Sequence, residues 1–139
     1  MNRILGLDVG DRKIGVAVSD PLRILATPIK TRIRKDDETA ILAIIELIDK
    51  YDAERIVIGL PYSLNGTIGR QAEKVISFKD KLLPMLSISI SMQDERFSSV
   101  SANQKLREAG KNRIKLKKEI DAAAATIILQ DYLDSLIIS

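Results

Sequence analysis

The sequence predicts an α/β domain built on a mixed five-stranded sheet, with helices packed on it. An antiparallel three-strand meander is continued by two parallel strands. Three observations lead there. Residues 4–19 read as two strands around a tight charged turn. Short connections join a third strand to these two. From there, apolar periodicity alternates between helix and strand. At 139 residues the chain suits a single domain with a real core, expected over residues 1–139.

The first strand, Ile4-Leu5-Gly6-Leu7-Asp8-Val9, is nearly unbroken in its apolar character, as for a strand covered on both faces. The second follows from Ile14. Asp20-Pro21 marks a turn, and Ile24 to Ile33 supplies the third strand. Asp36 reads as a cap for a helix over 37–51, lined by Ile41, Ile44, Ile45 and Ile48. Ile56-Val57-Ile58 is a buried strand ending in Gly59-Leu60-Pro61. Thr67 then caps a helix that runs to Pro84. Ile88, Ile90 and Met92 alternate with serines, which describes an edge strand with one face covered. A helix over Ser98–Ala109 stops at Gly110, a basic loop follows, and a last helix begins near Lys118. The order βββ-α-β-α-β-α-α is the ribonuclease H-like arrangement. Fold and function are separate claims, so the site is argued on its own.

Composition narrows the chemistry. The chain has no cysteine and no histidine. That excludes thiolate and imidazole catalysis, disulfides and zinc held by sulfur or imidazole. An enzyme of this composition works through carboxylates, Lys, Tyr, Ser or Thr, with a hard metal such as Mg²⁺ or Mn²⁺. No stretch approaches the roughly 18 apolar residues of a membrane span, and the N-terminus lacks a signal-peptide layout, which fits a cytoplasmic protein with no membrane partner. Net charge is +3, unevenly placed: residues 105–118 hold seven basic residues and only Glu108 as an acid. A basic strip on a mildly acidic body suits a phosphate-bearing partner, although a solvated lysine-rich loop has the same composition.

Three acids stand where a polar residue needs a reason. Asp8 interrupts the apolar first strand; buried without a partner it would cost several kcal/mol. Glu95 follows the last strand at its carboxyl edge, and Asp121 opens the last helix on its inward stripe. Each has an ordinary reading: a buried basic partner for Asp8, an ion pair with Arg96 for Glu95, a favourable helix dipole for Asp121. In the expected sheet, however, the three can converge on one crevice. There they would repel one another unless a cation held them. Two metals about 3.5–4 Å apart, one activating water and one stabilising the leaving oxygen, hydrolyse phosphodiesters without histidine or cysteine.

The chain resembles the YqgF family, whose members are described as pre-16S rRNA nucleases and, earlier, as Holliday junction resolvases. The resemblance rests on Gly6-Leu7-Asp8-Val9-Gly10 with Ile14-Gly15-Val16-Ala17-Val18, and on Gly59-Leu60-Pro61 with Asn65-Gly66-Thr67. Asp94-Glu95-Arg96-Phe97-Ser98-Ser99 and Ile120-Asp121-Ala122-Ala123-Ala124-Ala125 complete it. One departure is Ser98-Ser99, where the family has Ser-Thr; the hydroxyl is kept. The resemblance implies a ribonuclease H-like fold, Asp8, Glu95 and Asp121 as catalytic metal ligands, and action on the 5′ end of 16S rRNA precursor or a pre-ribosomal particle. Branched DNA is the alternative substrate.

Candidate phosphate contacts are Arg12 and Lys13 in the first turn, Arg96 beside Glu95, and Lys111, Arg113, Lys115, Lys117 and Lys118 in the basic loop. A solvated turn accounts equally for Arg12 and Lys13, and orientation of Glu95 for Arg96. With two Phe, three Tyr and no Trp, base-stacking platforms are scarce. Two other functions stay open. Asp8-Val9-Gly10 before a hairpin also resembles a phosphate loop of actin-like ATPases, which clamp nucleotide between two such domains. A non-catalytic rRNA-binding assembly factor would use the basic loop alone. The sequence leaves open monomer or weak dimer.

Overall fold

The computed structural model describes residues 2–11, 13–34, 36–61, 69–94 and 113–138; for 30–34, 113–123 and 137–138 it describes the backbone. Strands β1 (Arg3–Val9), β2 (Lys13–Ser19) and β3 (Ala26–Arg34) lead into helix α1 (Asp37–Tyr51) and strand β4 (Ala53–Leu60). Helix α2 (Arg70–Leu82), a 3₁₀ turn at Leu83–Met85, strand β5 (Ser89–Asp94) and helix α3 (Arg113–Ile138) follow. The sheet order is β3-β2-β1-β4-β5. β1 pairs antiparallel with β2 and parallel with β4, and β4 pairs parallel with β5. This is the expected mixed sheet, with the Asp8 strand at its centre.

Strand periodicity explains the layers. Leu5, Leu7 and Val9 join Ile14, Val16, Val18, Ile56, Ile58 and Leu60 in a core closed by α1 and α2. The alternate residues Ile4, Ala17 and Val57 pack on Ala125, Ile128, Leu129 and Leu133 of α3. The helices thus sandwich the sheet, and β1 is covered on both faces as its apolar run predicts. At the far end of β1, the Ile4 N–H donates to Ser19 Oγ at 2.8 Å and the Ser19 hydroxyl donates to the Asp20 carbonyl at 3.0 Å. This buried hydroxyl is therefore satisfied.

α1 begins as predicted, with Asp36 accepting from the Glu38 N–H. It ends at Asp52 in the left-handed conformation, φ 52°. Other boundaries differ. β3 starts at Ala26, because residues 20–25 form a turn in which Asp20 Oδ1 accepts from the Ile24 and Leu25 N–H groups at 2.7 and 3.0 Å. α2 is capped at Gly69 and not at Thr67. α3 starts at Arg113, not near Lys118, so the basic stretch from Arg113 belongs to a helix. The physical reason is composition: Arg, Lys, Leu and Glu favour helix, and no Gly or Pro interrupts residues 113–138. The helix expected over Ser98–Ala109 lies outside the described residues. Among the described residues, no helix is long and apolar enough to cross a membrane.

Candidate active site at the carboxyl edge of the sheet

β1, β4 and β5 are mutually parallel and end together, at Val9, Leu60 and Asp94. In open α/β sheets, ligands bind at such a carboxyl edge. Asp8 stands one residue before the end of β1. Leu7 and Val9 belong to the core under α1 and α2, so Asp8 falls on the opposite, α3-covered face. It is half-buried and engaged with its surroundings rather than isolated.

The neighbours of Asp8 explain how a carboxylate fits there. Its partner on β2 is Gly15. On β4, Leu7 pairs with Ile58, so the next step sets Gly59 beside Asp8. Both flanking positions therefore lack a side chain on the face that Asp8 shares. A strand glycine marks a place where something approaches the backbone closely. Here two of them flank one carboxylate.

A third glycine seats the helix. A Cβ at Gly6 would stand 2.7 Å from Leu129 Cβ and 3.2 Å from the Ala125 carbonyl oxygen, so α3 lies directly on the β1 backbone at this point. Further along α3, the Tyr132 hydroxyl accepts from Arg55 Nη1 at 2.6 Å, and Arg55 pairs with Ile4 near the start of β1. The C-terminal part of α3 thus lies toward the strand's beginning and its N-terminal part toward Asp8. Asp121 is one turn before Ala125, about 6 Å along the helix. Asp8 is two residues beyond Gly6, about 6.6 Å along the strand. The two steps run the same way and cover nearly the same distance, which brings both positions to one end of the sheet.

Asp121 is not at the helix start. It lies eight residues into α3. The dipole effect fades within the first turn, so the ordinary reading of Asp121 as a helix-end acid is removed. Glu95 follows Asp94, the last residue of β5, and lies outside the described residues, as do Arg12, Arg96 and Lys111. Among the described residues no three potential ligands cluster. Lys13 opens β2, is exposed, and its carbonyl accepts from the Gly10 N–H at 2.9 Å. Arg113, Lys115, Lys117 and Lys118 occupy the first two turns of α3, before Asp121 and further toward the carboxyl edge of the sheet.

Sequence reasoning missed the supports of the Asp8 turn. Gln71 Nε2 donates to the Val9 carbonyl at 3.2 Å, and Lys74 pairs with Asp11 at 3.0 Å, so α2 holds the β1–β2 turn from the other face. A cavity of about 310 Å³ lies there, bounded by Val9, Gly10, Arg70 and Lys74. It is on the α2 side, away from the Asp8 carboxylate. No sequence signal marked Gln71 or Lys74. Gly6 did carry one, as a glycine inside an apolar strand.

The family described as "RuvX: Holliday junction resolvase" matches residues 2–135. A Clostridium botulinum protein named "Putative pre-16S rRNA nuclease" is 50% identical over 134 residues, which is 96% of this chain and 98% of that protein. Thermus thermophilus RuvC, solved with a Holliday junction substrate, superposes with a TM-score of 0.64 at 12% identity, covering 100% of this chain and 98% of that one. The fowlpox virus Holliday junction resolvase gives 0.57 at 16% identity, over 96% and 99%. At such identities the structural likeness speaks for the fold alone, and it is the fold expected from the order of strands and helices. A match running from Asn2 to Ser135 takes in the central strand, the glycines around Asp8 and the helix that carries Asp121, and it makes this chain a member of the RuvX (YqgF) family.

Proposed function

We propose that this protein is a metal-dependent nuclease that hydrolyses phosphodiester bonds in structured nucleic acid, with the 5′ end of 16S rRNA precursor as its RNA substrate. Asp8, Glu95 and Asp121 would hold Mg²⁺ or Mn²⁺. The single observation that carries the reading is the glycine-flanked Asp8, on the face and at the sheet end where α3 brings Asp121. Two acids carried at one end of a sheet, with a third one residue past β5 in the sequence, would form a hard oxygen donor set. Such a set suits Mg²⁺ or Mn²⁺, and the absence of histidine and cysteine from the chain leaves few other ligands.

A divalent metal held by Asp8, Glu95 and Asp121 would lower the pKa of water and stabilise the leaving oxygen of the phosphodiester. The chain itself supplies position. Gly15 and Gly59 put no side chain of their own beside the Asp8 carboxylate. The strand pairing and the Gly6–α3 contact fix the backbone on which Asp8 and Asp121 are carried. Lys13 and the first turns of α3 supply cations near the crevice, which favours the polyanion over long range.

The test is cleavage of a 5′-extended 16S precursor fragment with Mg²⁺ or Mn²⁺, comparing wild type with Asp8→Asn. A four-way DNA junction runs beside it, because the family's description names that substrate. The expected result is metal-dependent cleavage of the RNA that falls at least a thousandfold in Asp8→Asn, with the fold retained. Equal binding with no cleavage by either protein, on RNA, junction or pre-ribosomal particle, would overturn the reading in favour of a non-catalytic assembly factor.

A further inference from the structure

Strand β3 carries a row of cations that neither the fold nor the carboxylate site explains. Lys30, Arg32 and Arg34 alternate with Ile29, Thr31 and Ile33. Pairing with β2 fixes the faces at both ends of the row. Ile33 is opposite Ile14 and Ile29 opposite Val16, both partners belonging to the core under α1 and α2. Arg34 is opposite Lys13, so it falls on the other face, the one that carries Asp8. Arg32 lies two residues earlier in the strand, within the stretch where the register shifts.

The row is also at the right end of the sheet. Val9 pairs with Ile14, and Ile14 with Ile33, so Arg34 and Lys13 sit level with the end of β1. β3 is the outer strand, two strand spacings from β1, or about 10 Å. Between Ile14 and Val16 the register shifts: four residue steps on β3 answer two on β2, which bows the edge at Lys30–Arg32. α3 is tied to β3 at its opposite end, where the Ala26 N–H donates to Gln130 Oε1 at 2.9 Å.

We propose that the outer end of β3, with Arg32 and Arg34 beside Lys13, is a docking ledge for the phosphate backbone of the nucleic-acid arm that leaves the Asp8 crevice. The inference rests on the nuclease reading and adds the substrate's path to it. The first turns of α3 lead past the carboxyl edge from the sheet face that α3 covers, and the ledge is to the β3 side of Asp8. A duplex or junction arm crossing the carboxyl edge would meet cations along its way and a carboxylate site in the middle. Edge strands also carry cations simply to prevent sheet-to-sheet pairing, and that reading predicts no effect on nucleic acid.

The experiment measures binding of the precursor RNA fragment, and of a four-way DNA junction, from 50 to 300 mM salt in an Asp8→Asn background. The double variant Arg32→Gln/Arg34→Gln is expected to bind at least tenfold more weakly, and the slope of log K against log salt to shrink by about 1–2. Arg32→Lys/Arg34→Lys should restore most of the affinity, because phosphate contact needs charge. Lys50→Gln, on α1 across the sheet, is the control and should bind as the parent does. In the cleaving protein, the glutamine pair should raise KM with kcat within twofold.

Unchanged affinity and salt slope in the glutamine pair would overturn the ledge and leave the nuclease reading intact. So would failure of the lysine pair to restore binding. If the glutamine pair self-associates, the salt slope of Arg34→Gln alone decides. If wild type cuts neither substrate, the nuclease reading fails, and with it the crevice from which the arm was drawn. Preference of the ledge variants' defect for RNA or for the junction identifies which backbone rests on it.

Discussion

Gly6→Ala is the sharpest perturbation that the structure suggests, because the added atom has nowhere to go. Its Cβ would lie 2.7 Å from Leu129 Cβ, against an ordinary carbon–carbon contact of about 3.5–4.0 Å. Leu129 Cβ is fixed to the α3 backbone, so no rotamer change relieves the clash. The helix and strand must separate by about 0.8 Å or more. Overpacking of this kind costs about 1–3 kcal/mol, offset by about 0.5–1 kcal/mol because alanine restricts the unfolded chain more than glycine does. The net loss of roughly 1–2 kcal/mol corresponds to a fall in Tm of about 3–8 °C for a chain of this size. Function should suffer more than stability. Displacing α3 moves Asp121 relative to Asp8, and a misplacement near 1 Å can cost about a hundredfold in rate. Thermal unfolding with the RNA cleavage rate provides the assay. Leu129→Ala should not rescue Gly6→Ala, since the clashing Cβ is retained. A Gly6→Ala protein that melts within a degree of wild type and cleaves at full rate would refute both the seating of α3 and its role.

Other changes test neighbouring parts of the structure. Tyr132→Phe removes the acceptor of the Arg55 hydrogen bond and should cost about 1–2 kcal/mol in urea unfolding, with cleavage preserved, because this contact is at the far end of β1. Asp20 supplies a pH signature. The Leu25 and then the Ile24 N–H groups donate to its carboxylate and hold its pKa below the ordinary 3.8. Its contribution to stability is therefore present above pH 3.8 and is lost as pH falls through the lowered value. Asp20→Ala should flatten that acid limb of the stability profile, followed by thermal melts from pH 6 to pH 2, and an unchanged limb would refute the assignment.

How much of this the sequence discloses differs by element. α1 is legible because its signals are local: Asp36 caps it and the isoleucines repeat at helical spacing. β1 is legible because an apolar run with a carboxylate inside has few other readings. The start of α3 is less so. A dense basic stretch resembles a solvated loop in composition, while its Leu, Lys and Arg content favours helix, and helix prevails from Arg113. Asp121 therefore reads as a helix-opening acid until the structure sets it eight residues inside. The register was out of reach. That Gly15 and Gly59 flank Asp8, or that Arg34 lies opposite Lys13, depends on pairings and a bulge that no local pattern encodes. Gln71 and Lys74 act through contacts 62 and 63 residues away in the chain.

The seating of α3 on Gly6 also sets a timetable for the protein's birth. Asp8 is made more than a hundred residues before Ala125 and Leu129, which bring α3 down onto β1. At about 5–20 residues per second this interval is roughly 6–24 s. Throughout it the nascent chain has its central carboxylate but not the helix that carries its proposed partner. Under the proposed function, the enzyme would thus be silent on ribosomal RNA while attached to the ribosome, and competent only once α3 has emerged and closed over the sheet.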